Sequence, residues 1–200
     1  MADVRRIGLT GGIATGKSYV RSRFEELGVP TVDADALARE AVAPGSDGLA
    51  AVTERFGRGV VDSTGALDRR KVAEIIFADS GARRDLEAII HPFVRSHADQ
   101  WFRRLDAGKH PFAIADIPLL YETGTSDLYD AVVVTACLPE EQVRRIVARD
   151  RVTEAEARQR LAAQLPIDEK IRRADYVIRT DGSHAETDRQ VRDVFERLSA

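Results

Sequence analysis

Short apolar runs alternate along this chain with longer stretches in which apolar side chains recur every three or four positions. Compact apolar runs are typical of strands buried on both faces, and the wider spacing is typical of amphipathic helices. Because the two kinds of segment alternate, the pattern predicts a parallel sheet with helices on both faces, an α/β fold. The predicted strands cover residues 6–10, 29–32, 112–117, 131–135 and 176–178.

Helical spacing fills most of the remaining chain, and residues 49 to 108 hold little strand signal. Gly28 ends the first predicted helix, and Pro44-Gly45 closes the second. Within the segment 82–105, which we predict to be helical, His91-Pro92 is interpreted as a closing turn, with His91 as a structural residue. The predicted helices cover residues 17–27, 35–42, 49–56, 69–77, 82–105, 139–150, 153–164 and 186–198.

Composition narrows the class of protein. Hydrophobic residues make up 44% of the 200 and charged residues 32%, which is the balance of a soluble protein with a core. No run approaches the ~20 apolar residues of a membrane span, and the N-terminus shows no apolar signal segment. Cys137 is the only cysteine. We therefore expect a cytoplasmic protein without a disulfide, a thiolate-bound metal or a membrane partner.

The charge of the chain bears on its partners. A net charge of −3 argues against a nucleic-acid binder held by general electrostatics. Only four of the 30 basic residues are lysines, and Lys17 is one of them. The arginine excess suits phosphate chemistry, because guanidinium forks match phosphate oxygens, but a coding bias towards arginine explains most of it.

One motif carries the strongest chemical signal, because it fits G-x-x-x-x-G-K-[ST] between a predicted strand and a predicted helix. Its glycines let backbone N–H groups turn inward as a nest for phosphate, and the following helix adds its positive N-terminal end. Lys17 is expected to reach the β- and γ-phosphates of ATP, and the Ser18 hydroxyl to ligate Mg²⁺. The motif does not identify the acceptor. Its residues are Gly11, Gly12, Ile13, Ala14, Thr15, Gly16, Lys17 and Ser18.

Three acidic residues near predicted strand ends are candidates for the rest of the site, since ligands of such sheets bind beyond the carboxyl ends of the strands. Asp33 is expected to orient or deprotonate an attacking hydroxyl and to contact the metal; its alternative role is to cap the next helix. For Asp35, two roles stay open: it caps the helix, or it contacts substrate or metal. Asp116 either binds Mg²⁺ as a Walker-B carboxylate or simply ends its strand in a turn.

Arginines on the helix predicted after the fourth strand are candidates for neutralising charge in the transition state. The apolar stripe of this helix leaves Arg145 and Arg149 on the opposite face and Arg144 on the flank. The spacing by itself favours an ordinary solvated face for all three.

Further segments match a known family pattern, in order, along nearly the whole chain. They are residues 8–13 with 16–18, Asp33-Ala34-Asp35 with Arg39, 56–57, Gly65 with 67–69, 90–92, 116–122, Gln142 with Arg144, 149–150, 156–157 with Arg160 and Gln164, and 174–178. These motifs resemble the dephospho-coenzyme A kinases, the enzymes of the last step of coenzyme A synthesis. The phosphate loop is shared by many kinases, whereas Asp-Ala-Asp, His-Pro and Pro-Leu-Leu-Tyr-Glu together are much more specific.

The resemblance implies ATP-dependent phosphorylation of the ribose 3′-hydroxyl of dephospho-coenzyme A. It implies a single P-loop NTPase-type domain, with a core at about residues 1–34, 111–138 and 174–200, a helical substrate lobe at about 35–110, and a helical lid at about 139–173. Asp33 becomes the base, and Lys17, Arg144 and Arg149 stabilise the transferred phosphate. The residues implied to shape the acceptor site are Asp35, Arg39, His91, Pro118, Leu119, Leu120 and Glu122.

The chain departs from the family pattern at Ala14-Thr15, where Gly-Ser is usual, and at Tyr19, where Thr is common. Neither change removes a phosphate contact, because the intervening positions of the loop act mainly through backbone N–H groups. Thr180 stands where the family usually has Asn, beside the expected adenine pocket, so the strictness of the preference for ATP stays open.

Other functions fit the same loop. A shikimate or gluconate kinase is similarly short and can carry Asp-x-Asp after its second strand, although the helical stretch 49–105 favours a larger acceptor. A non-catalytic nucleotide-binding protein would bind ATP with Asp33 dispensable. A switch GTPase is disfavoured, because no Asn-Lys-x-Asp sequence is present. We expect a monomer whose partner is a small-molecule substrate.

Overall fold

The structure, a computed structural model, describes residues 4 to 200. The chain divides into two compact units: one takes the chain up to Thr31 and from Leu105 onwards, and the other runs from Val32 to Arg104. Among the described residues, none of the helices combines the length and the apolar character that crossing a membrane requires. The division into core, lobe and lid stays a prediction.

The sheet has five strands in the order β2-β3-β1-β4-β5. β1 pairs in parallel with β3 and with β4, and β4 pairs in parallel with β5. Every residue of β3 and β4 is buried, as expected for strands covered on both faces. The predicted α/β fold is therefore confirmed. The strands are β1 Arg5–Gly11, β2 Thr31–Asp33, β3 Phe112–Asp116, β4 Ala131–Ala136 and β5 Tyr176–Arg179.

The central strand β1 brings three chemical groups to one edge of the sheet. In the register with β3, Leu9 lies opposite Asp116, and in the register with β4, Gly11 lies opposite Thr135. Because parallel strands end at the same edge, the loop that follows Gly11 begins beside both residues. This edge is where ligands of open parallel sheets bind.

Five helices belong to the unit that contains the sheet. Two of them, α7 and α9, begin with capping boxes in which a hydroxyl and a glutamate satisfy the first backbone N–H groups. The short α8 was not predicted, because it carries only two apolar residues, at positions 167 and 171. The helices are α1 Lys17–Glu26, α6 Pro139–Asp150, α7 Glu154–Ala162, α8 Ile167–Arg173 and α9 His184–Ser199.

The other unit is helical and has its own apolar core. Its helices are α2 Ala34–Ala41, α3 Asp47–Phe56, α4 Arg69–Ala78 and α5 Ser80–Arg104. The buried residues of its core are Val42, Leu49, Val52, Val60 and Val72.

α5 runs unbroken through His91-Pro92, so the interpretation of this pair as a closing turn is wrong. A proline removes one backbone hydrogen bond, the one to the carbonyl four residues earlier. Here that carbonyl belongs to Ala88, and both Ala88 and Pro92 are exposed, so water can satisfy the carbonyl. The remaining turns of a 25-residue helix outweigh the single lost bond.

Candidate active site

The phosphate loop, residues 11 to 18, joins β1 to α1. Ala14 and Gly16 lie in the left-handed region, with φ of 60° and 80°. Such turns direct backbone N–H groups to one side of a loop, where they bind anions. A positive φ strains any residue except glycine, which gives a reason for the usual family residue, Gly, at the position of Ala14. The first turn of α1 carries no acidic residue to repel phosphate.

Two glutamines hold Ile13 from both sides of its backbone. The side-chain amide of Gln142 donates to the Ile13 carbonyl at 2.7 Å, and the side-chain oxygen of Gln164 accepts from the Ile13 N–H at 2.8 Å. Gln142 has no exposed surface. The orientation of this peptide is therefore set by side chains that lie far along the chain.

The carbonyls of residues 11 to 15 all accept hydrogen bonds from side chains. Besides Gln142 on Ile13, the donors are Lys170 on Gly11 at 3.2 Å, Thr15 Oγ1 on Gly12 at 2.8 Å, Arg145 on Ala14 at 3.3 Å and Thr180 Oγ1 on Thr15 at 2.7 Å.

Holding the carbonyls orients the N–H groups of the same peptides. Within residues 4 to 200, the backbone N–H groups of Ala14, Gly16 and Ser18 donate to no other group of the protein. Together with the N-terminal end of α1, they leave backbone donors of the kind that bind anions, and phosphate binding by them stays a prediction.

Gly11 and Gly12 have no room for a side chain. A Cβ on Gly11 would lie 2.2 Å from Thr135 Oγ1 and 2.8 Å from the Thr135 carbonyl. A Cβ on Gly12 would lie 2.4 Å from the buried amide nitrogen of Gln142. The need for glycine at these two positions comes from the packing around the loop.

Lys17 and Asp116 form an ion pair at the end of the phosphate loop. The guanidinium of Arg21 donates to the other oxygen of Asp116 at 3.2 Å. Asp116 is only 3% exposed, so the two cations compensate a carboxylate that is largely removed from water. The Asp116 side chain thus contacts the lysine of the phosphate loop. The roles of Lys17 towards phosphate and of Asp116 towards Mg²⁺ stay predictions.

The residues predicted to hold Mg²⁺ are Ser18, Asp33 and Asp116. Ser18 is exposed in the first turn of α1, and Asp116 is the last residue of β3. In the part of the chain that the structure describes, no three His, Cys, Asp or Glu side chains gather into a metal cage. The assignment of these three residues to Mg²⁺ stays a prediction.

Arg145 turns towards the phosphate loop, so its assignment to the solvated opposite face of α6 is wrong. Its guanidinium donates to the Ala14 carbonyl, to the Thr180 carbonyl at 2.5 Å and to Thr180 Oγ1 at 3.1 Å. Glu141 accepts from the same guanidinium at 2.6 Å. Arg145 therefore joins α6 to the phosphate loop and to the residue that follows β5.

Arg144 and Arg149 point to solvent from α6. Arg144 is 75% exposed and pairs with Glu141 at 2.6 Å, and Arg149 is 59% exposed and pairs with Asp150 at 2.7 Å. Hydrogen bonds from Arg144, and then from Arg145, lower the pKa of Glu141 to about 2. The hydrogen bond from Arg149 likewise lowers the pKa of Asp150. The roles of Arg144 and Arg149 in phosphate transfer stay predictions.

In the helical unit, Asp33 is the N-cap of α2. Its Oδ1 accepts from the backbone N–H of Asp35 at 2.8 Å and of Ala36 at 3.2 Å. Asp33 itself, and not Asp35, thus provides the cap that was considered for either residue. Asp35 and Arg39 are exposed on α2. Their proposed contacts with substrate, like that of the half-buried His91 of α5, stay predictions.

The segment Pro118–Glu122 follows β3 and is separated from it only by Ile117. The Pro118 carbonyl accepts from Thr10 Oγ1 at 3.2 Å, and the Glu122 carboxylate accepts from the N–H of Leu165 at 3.0 Å. Leu119 is 36% exposed, whereas Leu120 is fully buried in an apolar cluster. The Leu120 side chain therefore supports the segment from within the core.

Tyr121 lies within the segment 118–122 that was expected to shape the acceptor site; it is buried, its hydroxyl has no partner among the described residues, and burial raises its pKa to about 12. Two residues that hydrogen-bond to the phosphate loop, Gln142 and Lys170, were given no role from the sequence. Gln142 did leave a signal, because it is a polar residue beside the buried stripe of α6. Lys170 left none, since its helix, α8, was not predicted.

The parallel sheet, the phosphate loop after its central strand and the lysine at the end of that loop define a P-loop kinase. The family model described as dephospho-CoA kinase matches residues 5–186 of this chain. The chain therefore belongs to the dephospho-CoA kinase family.

Individual relatives agree with the family match. A dephospho-CoA kinase of Anaeromyxobacter dehalogenans is 52% identical over 180 residues, which span 90% of this chain and 85% of that protein. A solved structure from Thermus thermophilus is 34% identical, with a TM-score of 0.84 and full coverage of both chains. The dephospho-CoA kinase of Campylobacter jejuni is 26% identical, with a TM-score of 0.73 over 97% of this chain and 96% of that chain.

A shikimate kinase from Bacteroides thetaiotaomicron also aligns over the full length of both chains. It is 18% identical to this chain and has a TM-score of 0.51. At this level of identity, the likeness shows a shared fold alone. The fold by itself does not decide the acceptor, because one fold hosts many functions.

Proposed function

We propose that this chain transfers the γ-phosphate of ATP to the ribose 3′-hydroxyl of dephospho-coenzyme A, forming coenzyme A and ADP. The observation that carries the proposal is the oriented phosphate loop with Lys17 at its end, within a chain of the dephospho-CoA kinase family. The family supports the identity of the acceptor. The loop supports the use of a nucleoside triphosphate.

The phosphate loop and Lys17 bind the phosphates. Backbone N–H groups on the inner side of the loop contact the phosphate oxygens, and the ammonium of Lys17 neutralises their charge. Lys17 is already oriented towards this edge of the sheet by Asp116. On ATP binding, Lys17 exchanges part of this ion pair for contact with phosphate.

Ser18, Asp33 and Asp116 would hold Mg²⁺ in this proposal. When bound, the ion would offset the negative charge that develops on the phosphate oxygens. The exposed hydroxyl of Ser18 and the carboxylate of Asp116 are oxygen donors of the kind that Mg²⁺ prefers.

Asp33 is proposed as the base that accepts the proton of the attacking hydroxyl. Two backbone N–H groups fix the orientation of its carboxylate, and a base must be held in a defined orientation to meet its proton. Arg144 and Arg149 neutralise charge on the transferred phosphate after they leave their surface partners, Glu141 and Asp150.

Contacts with dephospho-coenzyme A are proposed for Asp35, Arg39 and His91. They are proposed as well for the segment Pro118–Glu122. Within that segment, Leu119 offers exposed apolar surface.

The test of the function is an acceptor screen on the purified protein. ADP formation is measured with ATP, Mg²⁺ and each of dephospho-coenzyme A, shikimate and gluconate. We expect turnover with dephospho-coenzyme A alone, with the product phosphate located on the 3′-oxygen. Turnover on shikimate or gluconate without dephospho-coenzyme A would contradict the proposal, and ATP binding without any turnover would favour a non-catalytic nucleotide-binding protein.

The cytoplasmic location, the monomeric state and the absence of nucleic-acid and membrane partners stay predictions. The preference for ATP over other nucleotides stays open as well. Thr180 is buried and hydrogen-bonded to Thr15 and Arg145, so its hydroxyl supports the phosphate loop. Repeating the screen with GTP in place of ATP measures this preference directly.

A further inference from the structure

Lys170 lies on α8 with no exposed side-chain surface. Its ammonium donates to the Gly11 carbonyl at 3.2 Å, to the Pro118 carbonyl at 3.3 Å and to Glu122 Oε2 at 3.1 Å, and it forms an ion pair with Glu122 Oε1 at 2.8 Å. An ammonium group has three N–H donors, and these three acceptors occupy all of them. The group is therefore fully satisfied in one orientation.

A buried ammonium is costly unless it is paired and hydrogen-bonded. Lysine is accordingly one of the residues that are rarely buried in full. This chain has only four lysines, and the proposed phosphate chemistry uses a different one, Lys17. An apolar side chain would fill the space of Lys170 without removing a charge from water. Unlike an apolar side chain, the ammonium of Lys170 connects three acceptor residues through hydrogen bonds.

Those acceptors belong to two segments with different tasks in the proposed reaction. Gly11 opens the phosphate loop, whereas Pro118 and Glu122 are the two ends of the segment assigned to the acceptor. Thr10, which precedes Gly11, donates to the same Pro118 carbonyl at 3.2 Å. Lys170 therefore contacts both the loop proposed to bind ATP and the segment proposed to bind dephospho-coenzyme A.

The chain just before Lys170 holds the same two segments. Gln164 accepts from the N–H of Ile13 in the phosphate loop, and the N–H of Leu165 donates to Glu122. Residues 164 to 170 thus contact both segments at more than one point. A displacement of either segment changes hydrogen bonds to this stretch of chain.

We infer that Lys170 is a positioning residue that couples ATP binding at the phosphate loop to acceptor binding at Pro118–Glu122. The inference rests on the proposed function, which supplies the two ligands. Phosphate in the loop fixes the Gly11 carbonyl, and Lys170 transmits that position to Pro118 and Glu122. Because binding free energies are reciprocally linked, the acceptor tightens ATP binding by the same factor.

The experiment measures the dissociation constant of a non-hydrolysable ATP analogue by calorimetry, with and without saturating dephospho-coenzyme A. In the wild type, we expect the acceptor to tighten binding of the analogue by at least about fivefold. Lys170→Met keeps roughly the length of the side chain but removes its charge. In this variant, the acceptor should tighten binding of the analogue by less than about twofold. Lys109→Met, at a lysine that is 76% exposed, is the matched control and should keep the wild-type effect.

Lys170→Met leaves Glu122 without its cation and can lower stability for that reason alone. The double variant Lys170→Met/Glu122→Gln removes the uncompensated charge and is measured in the same way. A wild-type coupling factor in either folded variant overturns the inference. So does a wild-type protein that phosphorylates dephospho-coenzyme A without any mutual effect of the two ligands. A wild type with no turnover on dephospho-coenzyme A overturns the proposed function instead.

Discussion

Lys17, the lysine of the phosphate loop, forms an ion pair with Asp116, the last residue of β3. Arg21, one turn further along α1, donates to the same carboxylate. Asp116 is nearly buried, so little water screens these interactions. The carboxylate therefore orients Lys17, and in the proposed reaction it would compete with phosphate for Lys17.

Asp116→Asn separates these two effects. Because the amide carries no charge, Lys17 interacts more strongly with phosphate, and we expect ATP affinity without Mg²⁺ to be equal or higher than in the wild type. Turnover should fall, and half-maximal turnover should require more Mg²⁺, because a metal-binding oxygen has lost its charge. Titrations of ATP without Mg²⁺ and of Mg²⁺ at saturating ATP measure both. An unchanged Mg²⁺ requirement would remove Asp116 from the metal site.

Asp33→Asn tests the proposed base. Asparagine keeps an oxygen that can cap α2, so we expect the fold and ATP affinity to persist while kcat falls by about 10²-fold or more. Asp68→Asn is the matched control, because Asp68 caps α4 through one bond to Lys71 and has no proposed chemical role. Equal activity of the Asp33 variant and the wild type would remove Asp33 from the mechanism.

Gly11→Ala tests the close packing around the phosphate loop. The new methyl group would collide with the Thr135 backbone as well as with its side chain. Overpacking of this kind lowers the free energy of unfolding by about 1–3 kcal/mol. Urea unfolding of Gly11→Ala and of Gly59→Ala provides the comparison, since a Cβ on Gly59 meets nothing within 4 Å. An equal decrease in the free energy of unfolding in both variants would show that the structure relieves the collision at no cost.

Arg144→Ala and Arg149→Ala test the proposed phosphate stabilisers. We expect kcat to fall by about 10²-fold in each, the scale of losing one donor to a charged transition state. Stability should change little in Arg149→Ala, because surface ion pairs contribute little. In Arg144→Ala it should fall slightly at pH 7, because Arg144 donates two hydrogen bonds to Glu141. Arg158→Ala is the control, since Arg158 is 57% exposed and pairs with Glu154 on α7. Steady-state kinetics in which all three variants match the wild type would assign Arg144 and Arg149 to an ordinary charged surface.

Glu141→Gln tests the link between α6 and the phosphate loop. Hydrogen bonds from Arg144 and Arg145 lower the pKa of Glu141 from its ordinary 4.5 to about 2. The folded state therefore gains stability from ionised Glu141 above about pH 4.5, and this gain disappears as the pH falls towards 2. We expect Glu141→Gln to be less stable than the wild type at pH 7, with the difference closing at acid pH. Urea unfolding at several pH values measures this difference in stability. A difference that persists at pH 2 would show that it does not come from the ionised Glu141 carboxylate.

Most of the fold could be predicted because local patterns record burial on both faces of a sheet. β3 and β4 are continuous apolar runs, and the predicted strands overlap them closely. Pro92 misled the prediction, since its local preference was outweighed by the other turns of α5. Arg145 also misled the prediction. Its position on α6 indicated a solvent-exposed side chain, but this long side chain reaches the phosphate loop and donates to it.

The phosphate loop could be recognised in the amino-acid sequence alone, because binding phosphate through backbone N–H groups requires glycines at set spacings followed by Lys17 and Ser18. The side chains that orient this loop could be identified only in the folded chain. Gln142, Gln164, Lys170 and Thr180 lie 129 to 165 positions from the loop residues that they contact. No local pattern encodes such pairs, because each forms only after the parallel strands bring distant segments to the same edge of the sheet.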